Sequence, residues 1–413
     1  MANNRKHFDG FEPHTLLKHT VLRAYLQTWA RKMLLRPGAT RELCIVDACA
    51  GAGRDAQGNP GSPVLAAAVA DDAERHLQSD PRLRERIGGP LRIDLVAIEK
   101  DAKHYRSLVE NLKPYEKRAK PLRGTLADYI DEHFSHYRDT PTLFFIDPFG
   151  LAPLQADVIR RALSGRRNEV LLLFADQAAL RHFGAATAAI PDLESEIAAS
   201  APVQYGFFED AEVQVQRAKE ETTRRVQVKA TALEGTMPRA VEILNAAFGG
   251  ESWRAVIEAT PPQQRRAKFL EMYLELLRGF GASYVLPLPM RNTRDQHVYT
   301  LIHATQSVHG YTAMKTVVSS ALNKAELSGD VVESMRFQIR SDLDGIEAEV
   351  RQRFAGQSVP WTNQKDGRPN IRQFVLEGTP AFDFELTELK QRLKNEKGCG
   401  RGPEIYTFPS VSG

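Results

Sequence analysis

At 413 residues the chain exceeds a single ordinary core, which stops growing at roughly 250 to 300 residues, so two units or one unit with large appendages are expected. Its 42% hydrophobic and 26% charged residues are ordinary for a globular chain and exclude general disorder. The near balance of 55 basic and 52 acidic residues excludes tight nucleic-acid binding through bulk charge and leaves room only for a local patch.

The opening residues, MANNRKHFDGFEPH, have no apolar run of the signal-peptide kind, and no stretch reaches the roughly 18 apolar residues that a bilayer span needs. A cytoplasmic location without membrane contact is therefore expected. Between residues 14 and 35, Leu17, Val21, Leu22, Tyr25, Leu26, Trp29 and Met33 recur at three- and four-residue steps, which predicts an amphipathic helix. A buried strand from Leu43 to Asp47 follows, then a helix from Pro63 to Leu77, a strand from Ile93 to Ile98 and a helix from Ala102 to Leu112. The alternation continues with Lys120–Gly124, a helix from about Asp128, the strand Thr142–Ile146, a helix Gln155–Leu163 and the strand Glu169–Phe174. Apolar strands separated by helices predict a mostly parallel sheet covered on both faces.

Residues 191–279 are rich in Ala, Glu, Arg and Gln at helical spacing and read as a helical insertion. The sheet resumes with Tyr284–Leu288 and Val298–Ala304, two β-rich runs joined by RNTRDQH as an antiparallel hairpin. A helix from Tyr311 to Leu322 closes the first domain, assigned to 1–190 and 280–325. Residues 330–413 read as a separate helical, winged-helix-like module. Cys44, Cys49 and Cys399 form no C-x-x-C pair, which argues against a metal or cluster site built by this chain alone.

The first strand runs into Asp47-Ala48-Cys49-Ala50-Gly51-Ala52-Gly53, a small-residue turn whose backbone can approach a ligand closely. Many α/β turns carry such glycines for packing alone. Two features add weight here: Asp47 stands at a strand's carboxyl end, where open α/β sheets bind ligands, and Glu99 ends the next strand, where a carboxylate can accept a ribose diol. The turn lacks the third glycine of a dinucleotide fingerprint, so a pyrophosphate is poorly served. S-adenosylmethionine (SAM) carries no phosphate, and an acidic turn suits its cations.

The fourth strand ends in Asp147-Pro148-Phe149-Gly150. A carboxylate and a backbone carbonyl there could accept both hydrogens of an amine while an aromatic ring stacks on a planar base. A plain strand-terminating Asp-Pro turn is the competing reading.

The runs LLKHTVLRAYLQTW, IVDACAGAGR, PGSPVLAAA, IEK, FFIDPFG and LIHATQSVHGYTAMK, in this order, resemble the three-Cys-motif partner (TcmP) family over most of residues 14 to 320. The N-terminal half is also similar to ribosomal RNA adenine methyltransferases of the RlmJ type. The resemblance implies a Rossmann-like class I methyltransferase fold and SAM as cofactor. It would set Lys18 and His19 near cofactor and substrate, Asp47, Gly51 and Gly53 with the adjoining Ala48 around the methionine moiety, Ser62 on the pocket wall and Glu99 on the ribose. Thr125 would stand where an acidic residue usually meets the adenine of SAM. Asp147, with Pro148 and Phe149, would take the catalytic place of an adenine methyltransferase's D-P-P-Y motif, here changed to D-P-F-G. The partner implied is a three-cysteine, radical-SAM-like protein, with RNA or DNA as a further candidate substrate. A non-catalytic partner module built on the same fold is the principal rival, and an NAD-linked oxidoreductase a distant third. Lys18 and Arg54 near the pocket, and Arg392, Lys394, Lys397 and Arg401 in the tail, are the candidate nucleic-acid contacts.

Overall fold

The computed structural model describes residues 13–36, 41–187, 238–292, 297–328, 335–337, 341–362, 369–394, 397 and 404–409. The first half of the expected insertion, the tip of the RNTRDQH connection, Cys399 and Arg401 lie outside the described residues.

Eight strands form the main sheet: β1 Glu42–Asp47, β2 Arg92–Glu99, β3 Ala119–Arg123, β4 Thr142–Ile146, β5 Glu169–Phe174, β6 Tyr284–Asn292, β7 His297–Thr305 and β8 Met335–Phe337. Their spatial order is β3-β2-β1-β4-β5-β7-β6-β8. Strands β1 to β5 are mutually parallel, β7 runs antiparallel to both β5 and β6, and β8 runs antiparallel to β6. The first seven give the Rossmann-like class I methyltransferase arrangement that the resemblance implies. The eighth is three residues pairing with Met290–Asn292 at the sheet edge, too short to leave a periodic trace in the sequence.

Burial explains the strands' composition. All five residues of β4 and all six of β5 are buried, as expected where helices cover both faces. Helix α1 (Pro13–Leu35) lays Val21, Leu22, Tyr25, Leu26 and Trp29 into this core. Helix α2 (Ser62–Ser79) starts with Pro63 in its first turn, where the missing N–H costs nothing, and buries Val64, Leu65, Ala66 and Val69. Each Leu, Val or Phe so buried contributes roughly 1.5–3 kcal/mol.

The chain divides into two compact units, the second made of residues 149–157 and 175–273. Within the second, Trp253, Phe248, Phe269 and Tyr273 are buried, and Phe183 meets the Trp253 ring edge-on at 6.2 Å. The expected winged-helix-like region belongs to the first unit. It consists of helices Leu343–Arg353, Ile371–Gly378 and Leu386–Arg392 with an antiparallel ribbon of Ser358–Pro360 and Ile405–Thr407, around a core of its own that includes Val350, Phe354, Trp361, Leu389 and Tyr406. It is fastened to helix Val308–Ser328 by Lys315, whose buried Nζ donates to the carbonyls of Leu376, at 2.9 Å, and Thr379. No helix among the described residues is long and apolar enough to cross a membrane.

Candidate functional site

Asp47 ends β1 and pairs in register with Ala97 on β2 and Phe145 on β4. Glu99 lies two residues past Ala97, and Asp147 two past Phe145, so parallel pairing delivers three carboxylates to one edge of the sheet. It is the carboxyl edge, where side chains from distant stretches of an α/β chain converge.

The turn after β1 is stitched to both neighbouring strands: Ala48 N–H donates to Phe145 O at 2.9 Å and Ala50 N–H to Ile98 O at 3.0 Å. Gly51 and Gly53 hold φ of 61° and 83°, in the left-handed region. A Cβ at Gly53 would meet Asn111 Cβ and Leu108 Cδ1 at 3.3 Å, whereas one at Gly51 would meet nothing within 4 Å. Gly53 is thus required by packing, and Gly51 borders open space. Asn111 Nδ2 donates to Ala52 O and Gly61 N–H to Gly53 O, each at 2.8 Å, fixing the turn from below.

Glu99 accepts from the turn through Oε2, at 2.9 Å from Gly51 N, and from Asp101 N through Oε1, at 2.7 Å. Each carboxylate oxygen keeps a lone pair beyond those bonds. Asp47 is 1% exposed; its Oδ1 takes only a long 3.4 Å bond from Cys49 N, and its Oδ2 is buried with no hydrogen-bond partner. Burial pushes its carboxyl up to about 7, Ser62 at the start of α2 offsets part of this, and the charge of Asp147 adds to it. The Cys49 thiol is raised by burial and then by Asp47, Asp147 and Glu99, so all three carboxylates act at one point. The edge is acidic.

Lys18 and His19 sit side by side on α1 and both are buried. Lys18 Nζ forms an ion pair with Asp147 Oδ2. His19 is pushed down to about 4 by burial and by Lys18, against the pull of Asp147, and is therefore neutral at physiological pH. Pro148 is buried, while Phe149 is 72% exposed. Tyr299 on β7, which the sequence pattern did not single out, is buried within reach of the Asp147 charge; its only trace in the sequence is the alternation of its strand.

Thr125, just past β3 at the same edge, and the basic candidates of the tail are engaged by their own neighbours. Thr125 is exposed and makes a reciprocal cap at the start of helix Leu126–Asp139: Asp128 Oδ2 accepts from Thr125 N at 2.8 Å and from its hydroxyl at 2.7 Å. In the tail, Arg392 pairs with Asp344, Glu347 and Glu388, and Lys397 with Glu404. Those cations answer their own neighbours' carboxylates. Arg54 donates to Gly58 O at 2.8 Å in the loop below the turn.

No protein-family model and no curated protein sequence matches the chain. Among solved structures it is similar to a Staphylococcus aureus protein provisionally described as a caffeoyl-CoA O-methyltransferase, at 11% identity and a TM-score of 0.26 over 64% of this chain and 76% of that one. A geranyl diphosphate methyltransferase solved in complex with SAM gives 10% identity and a TM-score of 0.22 over 68% and 85%. The fibrillarin pre-rRNA processing protein of Methanococcus jannaschii gives 13% and 0.22 over 45% and 57%. At such scores the likeness adds nothing to the strand order itself.

Proposed function

We propose that this chain binds SAM at the carboxyl edge of its sheet and transfers the methyl group to an amine, with a nucleic-acid base as acceptor. The observation that carries this reading is the Asp47 carboxylate, buried with an unpartnered oxygen beside an open glycine turn and the Glu99 carboxylate. A buried carboxylate with an unanswered oxygen is costly, and a cationic ligand would answer it. Asp47, Gly51, Gly53 and the Ala48 backbone would hold the methionine ammonium end, Ser62 would line its pocket, and the spare lone pairs of Glu99 would accept the ribose hydroxyls. The cofactor supplies an electrophilic methyl group on a sulfonium.

The rest falls to the chain. Asp147 and the Pro148 carbonyl would accept the two hydrogens of the acceptor amine and aim its lone pair, which is catalysis by positioning. Lys18 holds Asp147 in place through their ion pair. Transfer of labelled methyl from SAM to RNA, DNA or a protein fraction, lost in Asp147→Ala, is the test. SAM binding with no labelled product in any fraction would overturn the catalytic reading.

The Lys18–Asp147 ion pair favours a second reading: with its carboxylate already matched by a cation, the fold would act as a SAM-binding partner of a three-cysteine, radical-SAM-like protein. Methylation that appears only when that partner is added, or co-purification without methylation, supports this alternative.

A further inference from the structure

The amino edge of the same sheet carries a cavity of about 450 Å³, apart from the carboxylate cluster. Its walls come from three places. The C-terminal turns of α1 supply Trp29, Lys32 and Arg36; the loop into β5 supplies Arg166 and Arg167; and the start of helix Val308–Ser328 supplies Ser307, His309 and Gly310. A volume of this size falls within the roughly 300–1,000 Å³ of small-molecule sites.

Four observations on this cavity agree in sign. First, Lys32, Arg36, Arg166 and Arg167 converge there, and none has an ion-pair partner among the described residues. Second, Arg36 Nε, one of its terminal nitrogens and Trp29 Nε1 are buried donors with no acceptor. Third, a 21-residue helix begins at the cavity with no acidic residue of its own in its first turn, where Ser307 Oγ accepts from Gly310 N at 3.4 Å. Fourth, the one carboxylate in the wall, Glu169, has its Oε2 engaged internally, where it accepts from Tyr25 OH and lies 2.9 Å from His303 Nε2. Arg36 is also pushed down by burial and by the repulsion of Arg167 and Arg166. Guanidinium nitrogens buried without an acceptor, as in Arg36, are costly unless an anion completes them.

We infer that this cavity is an anion site for a phosphate group, held by Arg36, Arg166 and Arg167, the Trp29 indole N–H and the amino end of helix Val308–Ser328. Several cations and a helix terminus around one space suit a dianion better than a single carboxylate, and guanidinium forks match phosphate oxygens two at a time. A free phosphorylated small molecule and a nucleic-acid backbone both present this group, and the test separates them.

The full-length protein is titrated with inorganic phosphate, with adenosine monophosphate and with a short single-stranded oligonucleotide, beside the Arg166→Gln/Arg167→Gln variant. At least one ligand is expected to bind the wild type and raise its unfolding temperature, and to bind the variant about tenfold or more weakly. Tighter binding of adenosine monophosphate, competed by phosphate, assigns a small phosphorylated ligand; binding of the oligonucleotide alone, with a steep salt dependence, assigns a backbone phosphodiester. Arg166 is exposed and Arg167 half-buried, so the variant is expected to fold; should it not, Arg166→Gln alone gives the same reading with a smaller loss. No binding of any of the three, or equal binding by wild type and variant, overturns the inference. SAM titrated into the same variant is expected to bind as it does to the wild type, so this inference and the methyltransferase reading fail separately.

Discussion

Asp47 destabilises the fold where it stands. Its carboxyl is raised by burial to about 7 in the native state from an ordinary 3.8, so between those values the folded chain holds a proton that the unfolded chain has released. Stability contributed at this position is therefore lost as pH rises from about 4 to 7. Asp47→Asn is expected to raise stability by up to about 4 kcal/mol above pH 7, at roughly 1.4 kcal/mol per tenfold change in proton affinity, and by nothing near pH 4. Denaturant unfolding at the two pH values checks this, and under the proposed function the same variant binds SAM more weakly. Gly53 answers to geometry instead. With φ of 83° and neighbours at 3.3 Å, Gly53→Ala is expected to cost at least about 1–2 kcal/mol, measured by the same unfolding curves. Asp47, Glu99 and Asp147 were legible because strand ends show in a sequence as an apolar run meeting a charge. The Lys18–Asp147 pair and Tyr299 were not, because pairing across 129 residues leaves no local mark.

At the scale of elements, the βα alternation was readable from apolar runs and helical spacing, and β1 to β7 form where the pattern puts them. The eighth strand escaped notice because three residues have no period. Thr125 shows a different limit: it stands where the resemblance puts an adenine contact, and its hydroxyl and N–H both donate to Asp128 as a cap that the sequence reading did not include. Thr125→Ala is expected to cost about 1 kcal/mol, seen as a lowered unfolding midpoint. Lys315 links helix Val308–Ser328 to the end of Ile371–Gly378 and packs its ammonium 4.3 Å from the Tyr311 ring centroid. Lys315→Met removes the donor from two buried carbonyls and is expected to cost about 1–3 kcal/mol. Faster amide exchange in residues 371–379 than in the sheet would locate the loss; unchanged exchange there would argue that Lys315 is merely packed.

For the whole molecule, chain length and composition indicated more than one compact body, and the structure divides into two units, the C-terminal cluster grouped with the sheet and residues 149–157 with 175–273 forming the other. The sheet's two edges carry opposite charge: carboxylates at the carboxyl edge, guanidiniums at the amino edge. Net charge near zero concealed this, since composition sums over both. The central claim is that the acidic edge is a SAM site, and calorimetric titration of SAM into the purified wild-type chain and into Glu99→Ala tests it most directly. One site per chain is expected in the wild type, with affinity reduced at least about tenfold in the variant by loss of a charged hydrogen-bond acceptor. Absence of heat and of any SAM-dependent rise in unfolding temperature in the wild type, or equal affinity in the two chains, would contradict it.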